Sequence, residues 1–516
     1  MGVIANLWRL ARTGATLQRT GALSDVLEAL DAPAQVRVAA RVLGWPLAPL
    51  GMKGDPALPP VPRALTALGP AYVKFGQLLS TRPDVAGPRL ARELRVLQDR
   101  IPPFPDADAR MEVERELERP LHDAFEDFGP PVAAASIAQV HAAVDRASGR
   151  KVAVKILRPG VERAFRLDID AFFFIARTVE LLAPAARRLR PTAVIEHFES
   201  VTMTELDLRL EAAAASEFKE TTQVDEGFEV PEVFWGLSAR RVMTTEWVSG
   251  EPMGDVEALR EKGVELVPLG AFVIQVFLRQ ALRDGLFHAD MHQGNLKVGP
   301  RGELIALDFG IMGRIDPYTR RVYAEILLGF LQRDYRRVAE VHFEAGYVPA
   351  DQDLETFAQA LRSVGEPIFG QDASRISMAR LLAHLFDVTE RFGMETRTEL
   401  ILLQRTMVVV EGVARTLDPN LNMWRTAKPV VEAWMRDNLG PRAALRDAQA
   451  TAKVLARFGP RLPEIAERAL TKLAEDEAPA PAPGLSRAAL LGVAAGAGLA
   501  GGAVALAGAA LLSALF

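Results

Sequence analysis

The chain has 516 residues, no cysteine and a formal net charge of −5. That length admits two or three domains, or one large two-lobed body with extensions, and the missing cysteines exclude disulfides, thiolate chemistry and Cys-type zinc sites. A mildly acidic chain with a quarter of its residues charged carries no electrostatic footprint for nucleic acid, which is not expected as a partner.

Residues 1–60 read as a helical segment. Arg9, Arg12 and Arg19 interrupt each apolar run before it reaches the length of a secretory signal, and Ile4, Leu7, Trp8 and Leu10 suit a short surface helix. A Pro/Gly-rich connector through Gly51, Gly54, Pro56, Pro59 and Pro60 leads into residues 61–105. There Leu65, Leu68, Tyr72, Phe75 and Leu79 recur at helical period and predict one helix with an apolar stripe. Lys74 and Gln77 share the opposite face of that helix.

Residues 106–250 form the next section. Runs at 132–144 and 151–157, with a reversal at Ser148-Gly149, predict a β-hairpin. A helical insert follows over roughly 165–220, and strand character returns at 230–235 and 241–248. Residues 251–474 read as mostly helical from Leu266 onward, broken by short strand-like pieces at 295–298 and 304–307. Strands first and helices later imply an α+β, two-lobed fold with a small β-containing lobe and a larger helical one.

The C-terminal end is distinct. Residues 475–487 form an Ala/Pro-rich spacer after an acidic cluster. From Ala488 to Phe516 no side chain is charged and Ser513 is the only polar one. About 20 apolar residues cross a bilayer, so a transmembrane segment is expected over 488–516. Gly492 with Gly496, and Gly498 with Gly502, are small-xxx-small pairs. One tilted, self-associating span is the expected arrangement, and so a homodimer; a tight hairpin broken at Gly501-Gly502 is the alternative.

The chemistry is concentrated in FHADMHQGNLKV followed by LIALDFGIMG. Kinase-type phosphoryl transfer needs an acid near the acceptor hydroxyl, an amide that helps to hold magnesium, and a second acid on the metal. Asp290 and Asn295 stand five residues apart, and Asp308, opening Asp-Phe-Gly, follows Asp290 by 18. A zinc triad of His288, Asp290 and His292 is the competing reading, but spacing by two would align those side chains only on a strand, and Gly294-Asn295 make this a loop. Lys155 ends a Val-Ala-Val-Lys strand, where a kinase places its phosphate-binding lysine. Its carboxylate partner would be Glu211, on a predicted helix whose same face carries Asp207.

Some features of an ordinary protein kinase are missing. In place of a glycine-rich loop stands VAAASIAQVH, from Val132 to His141, and alanine lacks the backbone freedom of glycine. Ala289 stands where the catalytic loop usually has arginine. Asp316-Pro317 reads as a helix cap and first turn, which leaves little room for an activation segment.

Together these residues resemble the UbiB-type (AarF-type) atypical kinases, a family associated with ubiquinone biosynthesis. Four features carry the resemblance, over about residues 60–430: KFGQ at Lys74–Gln77, the alanine-rich loop, Glu-x-Asp at Glu205–Asp207, and HADMHQGN with DFG. The resemblance implies a kinase-like fold, ATP and Mg2+ as cofactors, and a role for each residue. Asp290 is the catalytic-loop acid, Lys155 and Glu211 form the lobe ion pair, and Asn295 and Asp308 are the magnesium ligands. ATP would be held by Ala133, Ala134, Ala135, Ser136 and Lys155, with its adenine near the hinge from Glu246 to Val248. Lys74 and Gln77 would be regulatory, reaching over the active site toward Glu205 and Asp207 where a protein substrate would otherwise lie.

It implies also a bacterial inner-membrane location with a cytoplasmic catalytic body, and membrane lipid, quinone precursors or the enzymes that process them as partners. Gln293 departs from the family pattern, which often has proline there. A small-molecule kinase of aminoglycoside-phosphotransferase type and a non-catalytic nucleotide-binding scaffold are the rival readings.

Overall fold

The computed structural model describes residues 3–29, 38, 45–80, 83–98, 103–182, 191–370, 378–394 and 398–439. The expected spacer at 475–487 and apolar segment at 488–516 lie outside the described residues.

Helices α1 (Val3–Thr20) and α2 (Ala22–Ala29) open the chain. The single helix predicted around KFGQ is two, α3 (Pro60–Leu68) and α4 (Pro70–Ser80). Gly69 separates them at φ 123°, a backbone that side chains oppose, and Pro70 suits only the first turn of the helix that it starts. After α5 (Pro83–Leu94), α6 (Asp106–Leu117) and the one-turn α7 (Leu121–Ala124) come strands β1 (Phe125–Glu126), β2 (Pro131–Ala134), β3 (Ala138–Asp145) and β4 (Lys151–Leu157). The helical insert divides into α8 (Val161–Leu182), α9 (Pro191–Glu205) and α10 (Leu208–Thr222).

The strand expected at 230–235 is displaced. The chain pairs instead at β5 (Phe228–Glu229), and Val233 makes an isolated bridge to Thr245. β6 (Val242–Glu246), β7 (Glu251–Pro252), α11 (Val256–Glu261) and α12 (Leu266–Arg279) follow, and α12 runs into a π-turn at Gln280–Asp284. Next come β8 (Leu286–His288), β9 (Leu296–Val298), β10 (Leu304–Ala306) and β11 (Met312–Arg314). The described chain closes with α13 (Pro317–Gln332), α14 (Tyr335–Glu344), α15 (Leu354–Gly370), α16 (Met378–Arg391), α17 (Thr398–Leu417) and α18 (Met423–Leu439). Asp316 caps α13 by accepting from the Tyr318 and Thr319 amides, with Pro317 in the first turn, as the sequence predicts.

The described residues divide into two compact units. One holds the residues up to Leu210 together with Val233–Trp247; the other holds Glu211–Glu232 and the chain from Val248 onward. In the first unit an antiparallel five-stranded sheet has the order β1-β3-β4-β6, with β2 on β3. Strand alternation sends Val152, Val154 and Ile156 into a core with Ala109 and Val113 of α6 and with Phe125 and Phe128. Lys155 therefore stands on the opposite face. Arg241, at the start of β6, is 9% exposed and bridges Glu112 of α6 and Glu162 of α8.

The helical part of the first unit is built round α4. Tyr72 and Phe75 pack on Phe172 of α8 at ring distances of 5.0 and 5.5 Å, and Phe75 meets Phe198 of α9 at 5.4 Å. A Cβ on Gly76 would come within 2.6 Å of both Leu65 and Leu97, so glycine in KFGQ lets α4 lie close against α3 and the turn at 95–98. On α1, Arg9 pairs with Asp168 of α8 at 2.6 Å, and Thr13 shares a hydrogen bond with the Tyr72 hydroxyl. Burial pushes the Asp168 carboxyl up to about 6 from its ordinary 3.8, against the pull of Arg9 and Arg12. The folded state thus holds a proton there that the unfolded chain has lost. The resulting stability is present below pH 3.8 and disappears as pH rises through 6. Asp168→Asn is expected to flatten the slope of unfolding free energy across that window, as measured by urea titrations at several pH values.

The second unit carries a four-stranded sheet of order β5-β10-β9-β7 and the two-stranded ribbon β8-β11. Its centre is α12, whose Val273, Ile274, Val276 and Phe277 are fully buried. Among the described residues, Leu266–Asp284 is the one helix long and apolar enough to cross a membrane, and just over half of it is buried inside the fold.

Candidate active site

The second unit contains the catalytic-loop residues. β8 delivers His288 into full burial, where both ring nitrogens are engaged: Nε2 donates to the Leu307 carbonyl at 3.0 Å, and Nδ1 accepts the Asp290 N–H at 3.1 Å. Burial holds this imidazole below its usual pKa. The ring is therefore a neutral bridge between the acid at 290 and the strand end that precedes Asp308. It also cannot be a zinc ligand, which removes the first member of the competing metal triad.

Asn295 lies on a short turn, with its Nδ2 donating to the Asp290 carbonyl at 3.0 Å and standing 3.4 Å from Asp290 Oδ2. Its carbonyl accepts from Leu307 N–H at 2.8 Å. His292 is half exposed; its Nδ1 accepts from Gly294 and its Nε2 lies 3.6 Å from Asp290 Oδ2. Asp308 is exposed at φ 57°, a left-handed conformation uncommon outside glycine and best tolerated by Asp and Asn. Held strain of this kind gathers at functional positions.

A carboxylate and an amide oxygen suit a hard cation such as Mg2+, which is commonly held by one or two carboxylates plus substrate phosphates. Among the described residues no three His, Cys, Asp or Glu side chains form a metal cage, and that mode of binding needs none. Asn295 and Asp308 therefore fit the ion, with Asp290 beside Asn295 as the loop acid.

Ala289, which departs from the ordinary kinase loop, and Gln293, which departs from the family pattern, each have a local partner. Ala289 is buried, its N–H bonded to the Ile311 carbonyl and its carbonyl accepting from Thr406 Oγ1 of α17 at 3.0 Å. Gln293 donates from Nε2 to Thr416 Oγ1 of the same helix at 3.3 Å. The helix α17 thus braces the loop at two points.

In the first unit, Lys155 is half-buried in the middle of the sheet, in register with Val140 and Met243. The alanine loop is a tight hairpin between β2 and β3. Ala133 and Ala135 are exposed, Ala134 is half-buried and Ser136 is buried. The Ala135 N–H donates to the Ala138 carbonyl at 2.8 Å, and Arg158 donates twice to the Ala135 carbonyl, at 3.0 and 3.2 Å. This arginine was not singled out from sequence. Glu246 ends β6 with Arg150 at 3.2 Å, and the chain leaves the first unit between Trp247 and Val248.

Of the regulatory set, Lys74 and Glu205 meet at 2.5 Å, both mostly buried. The expectation for the other two is corrected. Gln77 donates to the Leu97 carbonyl at 2.8 Å, because the helix presents it to the turn at 95–98. Asp207 stands just before α10, accepts from the Arg209 N–H and binds the Arg209 guanidinium at 2.6 and 2.9 Å. That pair holds the Asp207 carboxyl below its usual pKa.

Glu211 is half-buried in the first turn of α10. Two turns on, Phe218 lies 6.4 Å from the His288 ring and 6.0 Å from Phe309 of Asp-Phe-Gly, while His288 and Phe309 are 5.5 Å apart. Phe218 therefore ties the Glu211 helix to both acid-bearing segments.

Comparisons with known proteins agree with this geometry. Residues 96–342 match the ABC1 atypical kinase-like domain and 361–422 match the UbiB helical domain. The chain is 42% identical over 407 residues to a protein of Aliivibrio fischeri (strain MJ11) named probable protein kinase UbiB, covering 78% of this chain and 75% of that one. A protein of the same name from Marinobacter nauticus is 39% identical over 415 residues, covering 80% and 76%. Among solved structures, Rv3197 from Mycobacterium tuberculosis, in complex with erythromycin, is similar with a TM-score of 0.52 at 26% identity, over 69% of this chain and 90% of that one. The fold is kinase-like, mixed helix and sheet, and mostly helical.

Proposed function

Since the chain belongs to the UbiB family of atypical kinases, we propose that it is a membrane-anchored, Mg2+-dependent ATP-binding kinase or ATPase that supports ubiquinone biosynthesis. Its targets are lipid-like quinone precursors or the enzymes that process them, at the cytoplasmic face of a bacterial inner membrane. The observation that carries the reading is the stitched pair of acids: His288 fixes Asp290 to the strand end before Asp308, and Asn295 is bonded to Asp290. In this reading Asp290 receives or orients the acceptor proton, and Lys155 and the alanine loop hold the ATP phosphates. Glu211 orients Lys155, and Glu246 to Val248 receive the adenine. Asn295 and Asp308 would hold Mg2+, which would supply neutralising charge for the phosphates. The Lys74–Glu205 pair regulates access. The apolar segment 488–516 supplies the anchor and, through its glycine pairs, self-association.

The test is ATP hydrolysis by the full-length protein in liposomes, with and without Mg2+. Asp308→Asn keeps a residue that tolerates the left-handed backbone but removes the charge. A drop of about 100-fold in kcat is expected; equal turnover in both proteins rejects the catalytic assignment. Deleting the gene in its host is expected to deplete ubiquinone and accumulate its precursors, restored by the wild type and not by Lys155→Ala.

A second reading, a kinase of small soluble molecules, has one observation in its favour: the similar mycobacterial structure contains a macrolide. Phosphorylation of a soluble hydroxylated compound without any membrane would select it.

A further inference from the structure

From Glu211 on, α10 is part of the second unit and is fastened within it at successive positions. Glu217 receives a two-pronged ion pair from Arg314 of β11, with Nη1 to Oε1 at 2.7 Å and Nη2 to Oε2. Phe218 packs edge-on and tilted against His288 and Phe309, and Lys219 Nζ donates to the Val230 carbonyl at 2.9 Å. Beyond the helix, buried Asp225 is clasped by both terminal nitrogens of Arg283 at 2.8 Å. Of these fastenings the Glu217 pair lies nearest Glu211, six residues or about 9 Å along the helix. Its partner strand is in register with β8, Arg314 opposite Leu286 and Met312 opposite His288. One guanidinium therefore links the segment after Asp-Phe-Gly, the catalytic ribbon and the Glu211 helix.

We infer that the Arg314–Glu217 pair is a built-in brace that sets the position of α10, and with it Glu211, on the catalytic ribbon; this positioning role rests on the phosphoryl-transfer reading above. In a phosphorylation-controlled kinase, an added phosphate and an arginine form the link that orders the segment after Asp-Phe-Gly. Here the arginine position of the catalytic loop is buried Ala289, and the link is made from two encoded charges. Planar guanidinium against carboxylate in fork geometry fixes direction as well as distance. The two side chains are 62% and 45% exposed, so the pair adds little to global stability. Its effect belongs in turnover and in the local order of α10.

The experiment compares Arg314→Ala, Glu217→Ala and the charge swap Arg314→Glu with Glu217→Arg, in the full-length protein in liposomes. Turnover of Mg-ATP, KM for ATP, thermal midpoint and hydrogen exchange of α10 amides are read for each. Each single change is expected to lower kcat about fivefold, with KM shifted less than about twofold, the midpoint nearly constant and α10 exchange faster. The swap is expected to restore both kcat and protection to within about twofold of wild type. Unchanged α10 exchange in the single variants, or a swap no better than they are, overturns the brace. If wild type and Asp308→Asn turn over equally, the phosphoryl-transfer reading fails, and the exchange data alone then decide whether the brace exists.

Discussion

Arg241→Leu is expected to lower the thermal midpoint by about 10 °C, the largest stability loss foreseen for a single side chain here. Arg241 bridges Glu112, 3% exposed, and Glu162, and its Nη2 also donates to the Arg158 carbonyl at 2.9 Å. Burial opposes its charge, yet the two carboxylates hold the guanidinium above its ordinary pKa. Removing the cation leaves buried Glu112 with only the largely exposed Arg115 as its partner, a cost approaching the about 3–5 kcal/mol of a broken buried pair. The pair as a whole is worth less than that, because desolvation offsets much of the attraction. The triple variant Arg241→Leu, Glu112→Leu, Glu162→Gln is therefore expected to recover most of the loss. Calorimetry of both variants decides: a triple variant as unstable as the single one rejects the ion-pair account.

His288→Ala is expected to cost the proposed activity about 100-fold in kcat, through misplacement of the acids by a fraction of an ångström to one ångström. The imidazole satisfies the Asp290 N–H and the Leu307 carbonyl in a site with no solvent access. Its removal leaves two polar groups unpaired at about 1–3 kcal/mol each, plus a cavity beside Phe218 and Phe309. His288→Asn offers a donor and an acceptor at shorter reach and is expected to regain part of both stability and turnover. Single-turnover rates alongside ATP affinity separate the two effects. A lowered thermal midpoint with affinity and rate of chemistry both unchanged would show that the bridge serves folding alone.

What could be read in the sequence follows from how local each feature is. The spacing of Asp290, Asn295 and Asp308 encodes one loop and two short strands, and those residues come together within a single unit. The break at Gly69-Pro70 is written in a dipeptide that punctuates helices, but the apolar stripe continues at helical period across it and so mimics one helix. Gln77 and Asp207 were not legible in detail. Gln77 bonds Leu97 in a turn some twenty residues on, a contact that no spacing announces, and Asp207 bonds Arg209 two residues away, the local kind of bond that Asp side chains favour. Phe218, Arg158 and the Glu217–Arg314 pair depend on contacts between distant segments, for which no periodicity or spacing exists.

The two threonines of α17 bear on how the chain can be dissected. Similarity ends the kinase-like match at residue 342 and begins a separate helical match at 361, which invites expression of the first part alone. Thr406 and Thr416, far beyond that boundary, hold the Ala289 carbonyl and the Gln293 amide. A fragment stopping at 342 would strip the loop of its outer wall and leave a buried carbonyl with nothing to accept from. The join between the two matches is a seam in the alignment and not a place to cut the protein.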